Sequence, residues 1–294
     1  MSVNWCNPYE AMSGGFSLKG NLHTHSNNSP CGKLALDKIV RVYEDMHYAF
    51  IAITDHNQKT DISALKSDSL TILPGIEIDI DCNTHCGVVN CDSKKLYYRK
   101  DATLQEMIDH NIAAGGIVTL NHPDWQLREH YAMDQLLSLK NYTGIEIYNS
   151  VIEFLQGSPL STAKWDRLLT AGRRVLGFAN QDFHDYPHAL DCCNIISGND
   201  RSAERMVKEL LDGRFYCYYG VVIKSLGRNN DKIYVETENA ELIRFVGEGG
   251  AVLKKSKGKT AEISFDQNPG NTYIRIECLG KGEEISFSQP FFRE

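Results

Sequence analysis

Short apolar runs alternate with amphipathic segments from the beginning of the chain to about Asp191, and this alternation restricts the possible folds most strongly. Seven of the runs are predicted to be strands: FSLKGNLHTH, YAFIAITDH, LTILPGIEIDI, HCGVVNC, GGIVTLNHP, TGIEIYN and RVLGFANQDFH. The segments 33–47, 103–114 and 160–171 carry apolar residues at helical spacing. Strands that alternate with helices form a parallel sheet of β/α units, so we predict an α/β fold.

The sequence pattern changes after Gly220. Short runs such as KIYVET, LIRFVG, AEISF and TYIRIECL are separated there by Gly, Asn and Lys clusters. This spacing is typical of an antiparallel β-sandwich. We therefore predict two domains, a β/α domain over residues 1–215 and a small C-terminal antiparallel β-sandwich domain over residues 216–294.

Charge and composition argue against several classes of protein. The net charge of −7 provides no basic face for nucleic acid or for a membrane surface. No apolar run approaches the roughly 20 residues that span a bilayer. Nine cysteines without a repeated spacing, and a start that lacks a signal-peptide pattern, predict free thiols and a cytoplasmic location. The sequence indicates nothing about protein partners.

The histidines are concentrated in the first part of the chain. All ten lie at or before His188, and six stand at or just after the ends of predicted strands. In a parallel barrel or sheet the carboxyl ends of the strands gather on one face, so residues distant in sequence converge there. Eight side chains are expected to meet in one pocket and bind metal: His23, His25, His56, Glu77, His85, His122, Asp182 and His184.

Two pairs of these residues have a spacing that suits one ion. His23 with His25, and Asp182 with His184, are two positions apart, so the members of each pair point to the same side of a strand. One such pair is explained equally well as two polar strand-end residues, but two pairs together with Glu77 favour a metal site. Imidazoles mixed with carboxylates suit zinc, manganese or iron, whereas calcium and magnesium prefer oxygen ligands. We expect two or three divalent ions.

Taken in order, the motifs NLHTHS, AITDHN, PGIEI, TLNHP and NQDFH resemble the polymerase and histidinol phosphatase (PHP) family of metal-dependent phosphoesterases. The resemblance covers the whole N-terminal domain. It implies a distorted seven-stranded, TIM-like β/α barrel and the hydrolysis of a small phosphorylated substrate. Phosphomonoesters and phosphodiesters, including nucleotide-derived esters, are both compatible with it.

The resemblance also implies a set of ligands. One ion would be held by His23, His25, Glu77 and Asp182, a second by Glu77, His85 and His122, and a third by His56 and His184. A hydroxide bridging the first two ions would attack phosphorus, with Glu77 and Asp182 as the catalytic carboxylates. Where many relatives place an Asp or His after the first motif, this chain has Pro30 and Cys31. Either Cys31 replaces that ligand, or the third ion binds weakly, or two ions suffice.

Several neighbouring residues have alternative interpretations. Asp55 is expected either to orient a metal-bound imidazole or to cap a strand end, and Glu146 is more simply an exposed strand-end carboxylate. Four cations follow strand ends and are candidates for contact with phosphate, although each is more readily an ordinary surface residue: Lys59, Arg99, Arg128 and His188. The remaining histidines are interpreted as non-functional: His47, His110 and His130. Cys82 and Cys86 flank His85, but without a second cysteine pair a zinc ribbon is not favoured.

Two other functions remain open from the sequence. An amidohydrolase that cleaves carbon–nitrogen bonds also begins with His-x-His on its first strand, but it commonly needs a lysine between its ions, where this chain has Glu77. A metal-binding module without catalysis, serving regulation or assembly, is the alternative from another class.

Overall fold

The computed structural model describes residues 5–12, 14–80, 84–126, 130–265, 268 and 270–294. Strands β1 to β18 are, in order, Trp5–Cys6, Phe16–Asn21, Phe50–Ile53, Thr71–Ile80, Thr84–Val89, Ile117–Leu120, Gly144–Asn149, Leu176–Asn180, Cys192–Ser197, Phe215–Tyr219, Ile223–Asn229, Lys232–Thr237, Leu242–Val246, Val252–Lys257, Thr260–Ser264, Tyr273–Leu279, Ile285–Ser288 and Phe291–Arg293. Helices α1 to α5 are Leu36–Asp45, Leu104–Ala113, Met133–Ser138, Thr162–Thr170 and Ala203–Leu211.

Most strands belong to one long, curled sheet of mixed direction. Its order is β1-β18-β16-β17-β10-β9-β2-β3-β4-β5-β6-β7-β8, and β13 pairs with β16 and carries β14. The end strand β8 curls back against β9, so the segment from β9 to β8 forms a half-barrel. Strands β11, β12 and β15 form a second, three-stranded sheet. The fold is therefore of the α/β class that the sequence predicts.

All seven predicted strands of the first domain are present as β2 to β8, but their directions are not all parallel. The pairs β2–β3, β3–β4, β6–β7 and β7–β8 are parallel. Strand β5 runs antiparallel to both β4 and β6, so the expectation of a fully parallel sheet is wrong here. Residues 81–83 alone separate β4 from β5, whereas a parallel crossover needs a dozen residues or more.

The predicted helices are present as α1, α2 and α4, while α3 and β9 are additional. Helix α2 begins with a capping box, in which Thr103 and Glu106 each bond the backbone of the other. Strand β9 pairs antiparallel with both β2 and β10 and so connects the half-barrel to the C-terminal strands. Buried residues of α2, α4 and α5 pack in the half-barrel core.

Two side-chain amides bond the edge of β8 that faces β9. The Gly177 N–H donates to Gln289 Oε1 at 2.9 Å, and Gln289 Nε2 donates to Gly177 O at 2.8 Å. The Ala179 N–H and C=O bond the Asn194 amide in the same way, at 3.0 and 2.9 Å. Both amide side chains are completely buried. They satisfy backbone groups that would otherwise be costly to bury, and they hold the curled sheet closed.

The C-terminal strands surround a second core and also contribute to the first. Trp5 stacks on Phe265 in this second core, with the ring centroids 4.4 Å apart. Cys217 and Phe287 pack instead with the residues of the half-barrel core. Because β10 lies inside one continuous sheet, between β9 and β17, the domain division at residues 215 and 216 stays a prediction.

Among the residues that the structure describes, no helix is long and apolar enough to cross a membrane.

Candidate metal centre

Glu77 lies at the centre of a group of imidazoles at the open end of the half-barrel. Its side chain is buried in β4, which is apolar on both sides of it because the strand is covered on both faces. Oε1 lies 3.2 Å from His23 Nε2, 3.3 Å from His85 Nδ1 and 3.4 Å from His122 Nε2. Oε2 lies 3.2 Å from His25 Nε2 and 3.4 Å from His56 Nδ1.

Asp182 faces the same group from the segment that follows β8. Its Oδ1 lies 3.1 Å from His23 Nε2 and 3.2 Å from His25 Nε2. His184 Nδ1 lies 3.5 Å from the same oxygen, and His122 Nε2 lies 3.8 Å from Oδ2. The structure thus brings all eight residues proposed from the sequence together: six of them line one cavity of about 310 Å³, and His23 and His25 contact two of those six, Glu77 and Asp182. That they bind ions stays a prediction.

Several of these atoms point at one another without being hydrogen-bonded. Asp182 Oδ1 and His56 Nδ1 are buried and have no hydrogen-bond partner. Nε2 of His23 lies 3.1 Å from Nε2 of His25, a separation at which two nitrogen lone pairs repel unless a proton or a cation lies between them. Convergent lone pairs of this kind fit a cation. Groups of ligand atoms within 4.8 Å of one another include His23–His25–Glu77, His23–His122–Asp182 and His25–Asp182–His184.

Glu146 supports these ligands from the neighbouring strand β7. Its carboxylate accepts hydrogen bonds from His23 Nδ1 at 2.8 Å and from the His122 N–H at 2.8 Å. It also accepts from Asn149 Nδ2 at 2.8 Å and from Asn180 Nδ2 at 2.9 Å. The prediction that Glu146 is an exposed strand-end carboxylate is wrong, because β7 is buried along its whole length. Its bond to His23 Nδ1 leaves Nε2 directed at the cluster.

Two further polar residues position the site. Asn121, which the sequence analysis missed, donates from Nδ2 to Glu77 Oε1 at 2.8 Å. Asp55 accepts from the backbone N–H and the hydroxyl of Ser26, both at 2.7 Å, and from the Thr60 hydroxyl. These contacts favour the capping interpretation of Asp55, which fixes the turn after His25.

His130 lies in the cluster, although the sequence analysis interpreted it as non-functional. Its ring centroid is 4.8 Å from that of His85 and 4.6 Å from that of His122. Nε2 accepts the His85 N–H at 3.3 Å, so that nitrogen is already occupied. Burial, together with the two neighbouring imidazoles, lowers the pKa of His130 to about 2. It therefore acts as a neutral support behind His85 rather than as a first choice of ligand. No strand-end signal marks it in the sequence.

The electrostatics of the cluster favour ionised carboxylates. Burial would raise the pKa of the Glu77 carboxyl, but the surrounding imidazoles, His23 first, hold it well below its usual value. Asp182 is held low in the same way by His23 and His184. Burial would lower the pKa of His85, but Glu77 raises it to about 10. The carboxylates thus require positive charge on the imidazoles, and divalent ions can replace those protons.

The imidazoles nearer the opening, His56 and His184, instead have lowered pKa values, which favour the neutral form. Burial lowers the pKa of His56, and it lowers the pKa of His184 to about 4. Cys31 lies beside them and forms a potential ligand group with His25 and His56. Burial and the charge of Asp182 raise the pKa of the Cys31 thiol to about 12. A neutral imidazole is ready to bind a metal, whereas the thiol must first lose its proton.

The backbone at two of the ligands adopts a conformation that side chains disfavour. His122 has a φ of 30° and Asp182 a φ of 53°. Non-glycine residues with positive φ cost about 1–3 kcal/mol each and persist only where the surroundings fix them. The His122 N–H bond to Glu146 is one such constraint. Strain at two strand ends that both carry candidate ligands favours a functional role for this site.

The other candidates from the sequence are divided between the cavity and the surface. His188 lines the cavity, and so does Lys33, which the sequence analysis missed. Arg99 pairs instead with Asp101 at 2.7 Å on the surface, and Lys59 does not line this cavity. Arg128 and Cys82 lie outside the described residues. Cys86 is buried in the half-barrel core, His110 stacks on Tyr97 outside the cavity, and His47 ends the loop after α1.

Comparison with known proteins gives distant structural likenesses. No family model and no curated protein matches the sequence. A candidate metal-dependent phosphoesterase from Bifidobacterium adolescentis is 15% identical, with a TM-score of 0.44 over 67% of this chain and 96% of that one. An amidohydrolase from Chromobacterium violaceum, solved with bound sulfate and no metal, is 13% identical, with a TM-score of 0.44 over 65% and 96%. Likenesses of this size do not decide the family or the activity of the chain.

Proposed function

We propose that this chain is a metal-dependent phosphoesterase of the PHP type, built on a distorted, TIM-like β/α barrel of seven strands. The observation that carries the proposal is the position of Glu77, whose two oxygens face separate sets of imidazoles within 3.4 Å. A carboxylate so placed suits a bridge between two ions. The order of the motifs along the chain supports the PHP type.

We propose the ligand sets that the resemblance of the motifs implies. The first ion takes His23, His25, Glu77 and Asp182, and the second takes Glu77, His85 and His122. A third is proposed for His56 and His184, with Cys31 as an additional ligand. Imidazole and carboxylate donors favour zinc, manganese or iron, and a thiolate strengthens the case for zinc or iron at the third position.

In the proposed mechanism, the residues of the chain mainly hold and orient. When bound, the ions supply a water made acidic enough to attack at neutral pH, and positive charge for the phosphoryl oxygens. Glu77 holds the cluster together, while Glu146 fixes the ring of His23 through a 2.8 Å bond. Asp182, or a histidine beside it, would take the proton that the attacking water loses and pass it to the leaving oxygen. His188 is suitably placed for that role, since it lines the cavity and its Nδ1 has no hydrogen-bond partner.

The cellular compartment and the small size of the substrate are also proposals. The cysteines in the described part of the chain are free, which supports a reducing, cytoplasmic environment. The net charge of −7 supports a small phosphorylated substrate, brought in by bound cations, rather than a nucleic-acid or membrane surface.

The proposal is tested by reconstituting metal-free protein with Zn²⁺, Mn²⁺ or Fe²⁺ and measuring bound metal and turnover together. The substrates are p-nitrophenyl phosphate, bis(p-nitrophenyl) phosphate and a panel of amides. Metal-dependent release of p-nitrophenol from either ester, with no amide cleaved, is the expected result. Cleavage of amides alone would favour an amidohydrolase, and bound metal without any turnover would favour a non-catalytic module.

A further inference from the structure

One part of the cavity lining is apolar and lies beside the polar cluster, since the Trp125 ring is 5.3 Å from that of His122. A short 3₁₀ helix, Ser150–Phe154, follows β7 and places Val151 and Ile152 in the lining. Leu155, directly after it, completes this wall together with Trp125. The same cavity is lined by Glu77 and other members of the cluster. A group held at the ions therefore lies within reach of an apolar surface.

This apolar wall continues to the outside of the molecule. Leu155 is 45% exposed and Phe154 is 52% exposed. The Phe154 ring lies 5.4 Å from that of His188, which lines the cavity. Large apolar side chains left in water beside a pocket mark a binding surface more often than chance exposure does. The wall thus has apolar area that a ligand can cover.

The positive charge available in the cavity is small. Outside the metal cluster, the described lining residues that can carry positive charge are Lys33 and His188. Lys33 is already paired with Asp185 at 3.0 Å. The His188 ring lies against those of Phe154 and His184, with centroids 5.4 and 5.8 Å away. Beyond the phosphoryl group at the ions, the lining residues that the structure describes offer little to a second anionic group.

We propose that the substrate is a phosphate ester whose leaving group is an aromatic or similarly apolar alcohol without a second anionic group. This inference rests on the proposed phosphoesterase function and names its substrate class. The leaving group packs against Trp125, Ile152 and Leu155 while the phosphoryl group faces Glu77 and Asp182. A cavity of about 310 Å³ is at the lower end for small-molecule sites, which suits one phosphoryl group and one ring system.

The test compares two esters of primary alcohols, 2-phenylethyl phosphate and glycerol 3-phosphate, with the metal-loaded full chain. Using two primary alkyl esters keeps the leaving groups chemically similar. We expect kcat/KM to favour the phenylethyl ester by about tenfold or more, as apolar pockets typically discriminate. Leu155→Ser should reduce this preference about tenfold, through KM rather than kcat, because the wall binds ground state and transition state alike. Leu211→Ser, at a position with 36% exposure on α5, is the matched control and should leave the preference unchanged.

A binding experiment separates this inference from the phosphoesterase proposal itself. Calorimetric titration with 2-phenylethylphosphonic acid and methylphosphonic acid measures how much contact with the apolar wall adds to binding, without turnover. Tighter binding of the phenyl compound, weakened by Leu155→Ser but not by Leu211→Ser, supports the proposed substrate class even if the chemistry is of another kind. Equal binding of the two compounds, or a preference that Leu155→Ser leaves intact, overturns it.

Discussion

Glu77 illustrates how the chemistry of single residues defines this site. It is a completely enclosed carboxylate whose charge is balanced by imidazoles contributed from β5 and from the segments that follow β2, β3 and β6. A buried charge of this kind is tolerated only when it is paired, so the imidazoles and the carboxylate depend on one another. Removing the imidazoles should therefore lower both the metal content and the stability of the protein.

Replacing His23 and His25 with Ala should remove bound metal and activity together. Both imidazoles contact Glu77 and Asp182 within 3.2 Å, and no other described pair touches both carboxylates so closely. Elemental analysis and ester hydrolysis measure the two effects, and circular dichroism checks the fold. His110→Ala, outside the cavity, is the control. Full turnover by the metal-free double variant would refute the proposed centre.

Binding of metal by Cys31 should produce an absorption band in the spectrum of the cobalt-substituted protein. If its sulfur binds the third ion, Co²⁺ loading produces a thiolate-to-cobalt absorption band in the near ultraviolet. We expect Cys31→Ala to abolish this band and to lower the metal content by about one ion. Cys91→Ala, at a half-buried cysteine outside the cavity, should change neither. A band that survives in Cys31→Ala would exclude Cys31 as the ligand.

Metal affinity should rise with pH. The carboxylates overcome burial and raise the pKa values of His23, His25 and His85, so protons compete with metal ions for these rings. Those protons must leave when ions bind, so binding is weakest in acid and strengthens as the pH rises. Each proton released changes the apparent affinity by about tenfold per pH unit. Calorimetry of Zn²⁺ binding between about pH 6 and 8 measures this, and a pH-independent affinity would contradict it.

The sequence indicated the residues at strand ends much better than the residues that support them. The eight candidate ligands follow from motif spacing, because a strand end determines where its side chain lies. Asn121 and Glu146 act through bonds to residues 44 and 123 positions away in the chain, and no local pattern encodes such contacts. His130 was missed for the same reason.

At the scale of elements, the strands were predictable and their directions were not. Apolar runs identified β2 to β8, but the hairpin between β4 and β5 makes β5 antiparallel on both sides. The sequence pattern also did not predict that β8 closes against β9. This closure depends on the side chains of Gln289 and Asn194 rather than on hydrogen bonds between strand backbones. A buried amide that satisfies a strand edge has no signature in hydrophobic periodicity.

Replacing Gln289 with Leu should destabilise the protein by about 1–3 kcal/mol. The variant keeps the volume but leaves the Gly177 N–H buried without its partner, while the Gly177 C=O keeps only the Cys217 thiol, 3.1 Å away, as a donor. Urea unfolding followed by circular dichroism measures the loss. Gln105→Leu, at a half-buried glutamine whose hydrogen bonds are exposed to water, should cost well under half as much. Equal costs for the two variants would show that the amide does not support β8.

At the scale of the whole molecule, the C-terminal strands and the half-barrel are bonded to each other. Arg275 on β16 pairs with Asp166 on α4 at 2.7 Å, and Tyr273 donates to the same carboxylate at 2.8 Å. Cys217 and Phe287 fill part of the half-barrel core. A substitution that destabilises one part should therefore also destabilise the other.

The chain should unfold in one cooperative step. Trp5 belongs to the C-terminal core and Trp165 to the half-barrel core, so each reports on one part. Urea unfolding of Trp5→Phe/Trp125→Phe and Trp125→Phe/Trp165→Phe variants should give coincident fluorescence midpoints once the stability of each variant, measured by circular dichroism, is taken into account. A fragment of residues 1–215 should fail to fold. Separate midpoints and a folded fragment would instead support independent domains divided at residues 215 and 216.

The bond between Gly177 and Gln289 also has a consequence for biosynthesis. The two residues are 112 positions apart, and a ribosome adding roughly 5–20 residues per second needs roughly 6–22 s to cover that distance. During this interval the emerging β8 offers its open edge to other nascent chains. Growth at reduced temperature, or co-expression of a chaperone, should therefore raise the yield of folded protein, because both reduce misassembly.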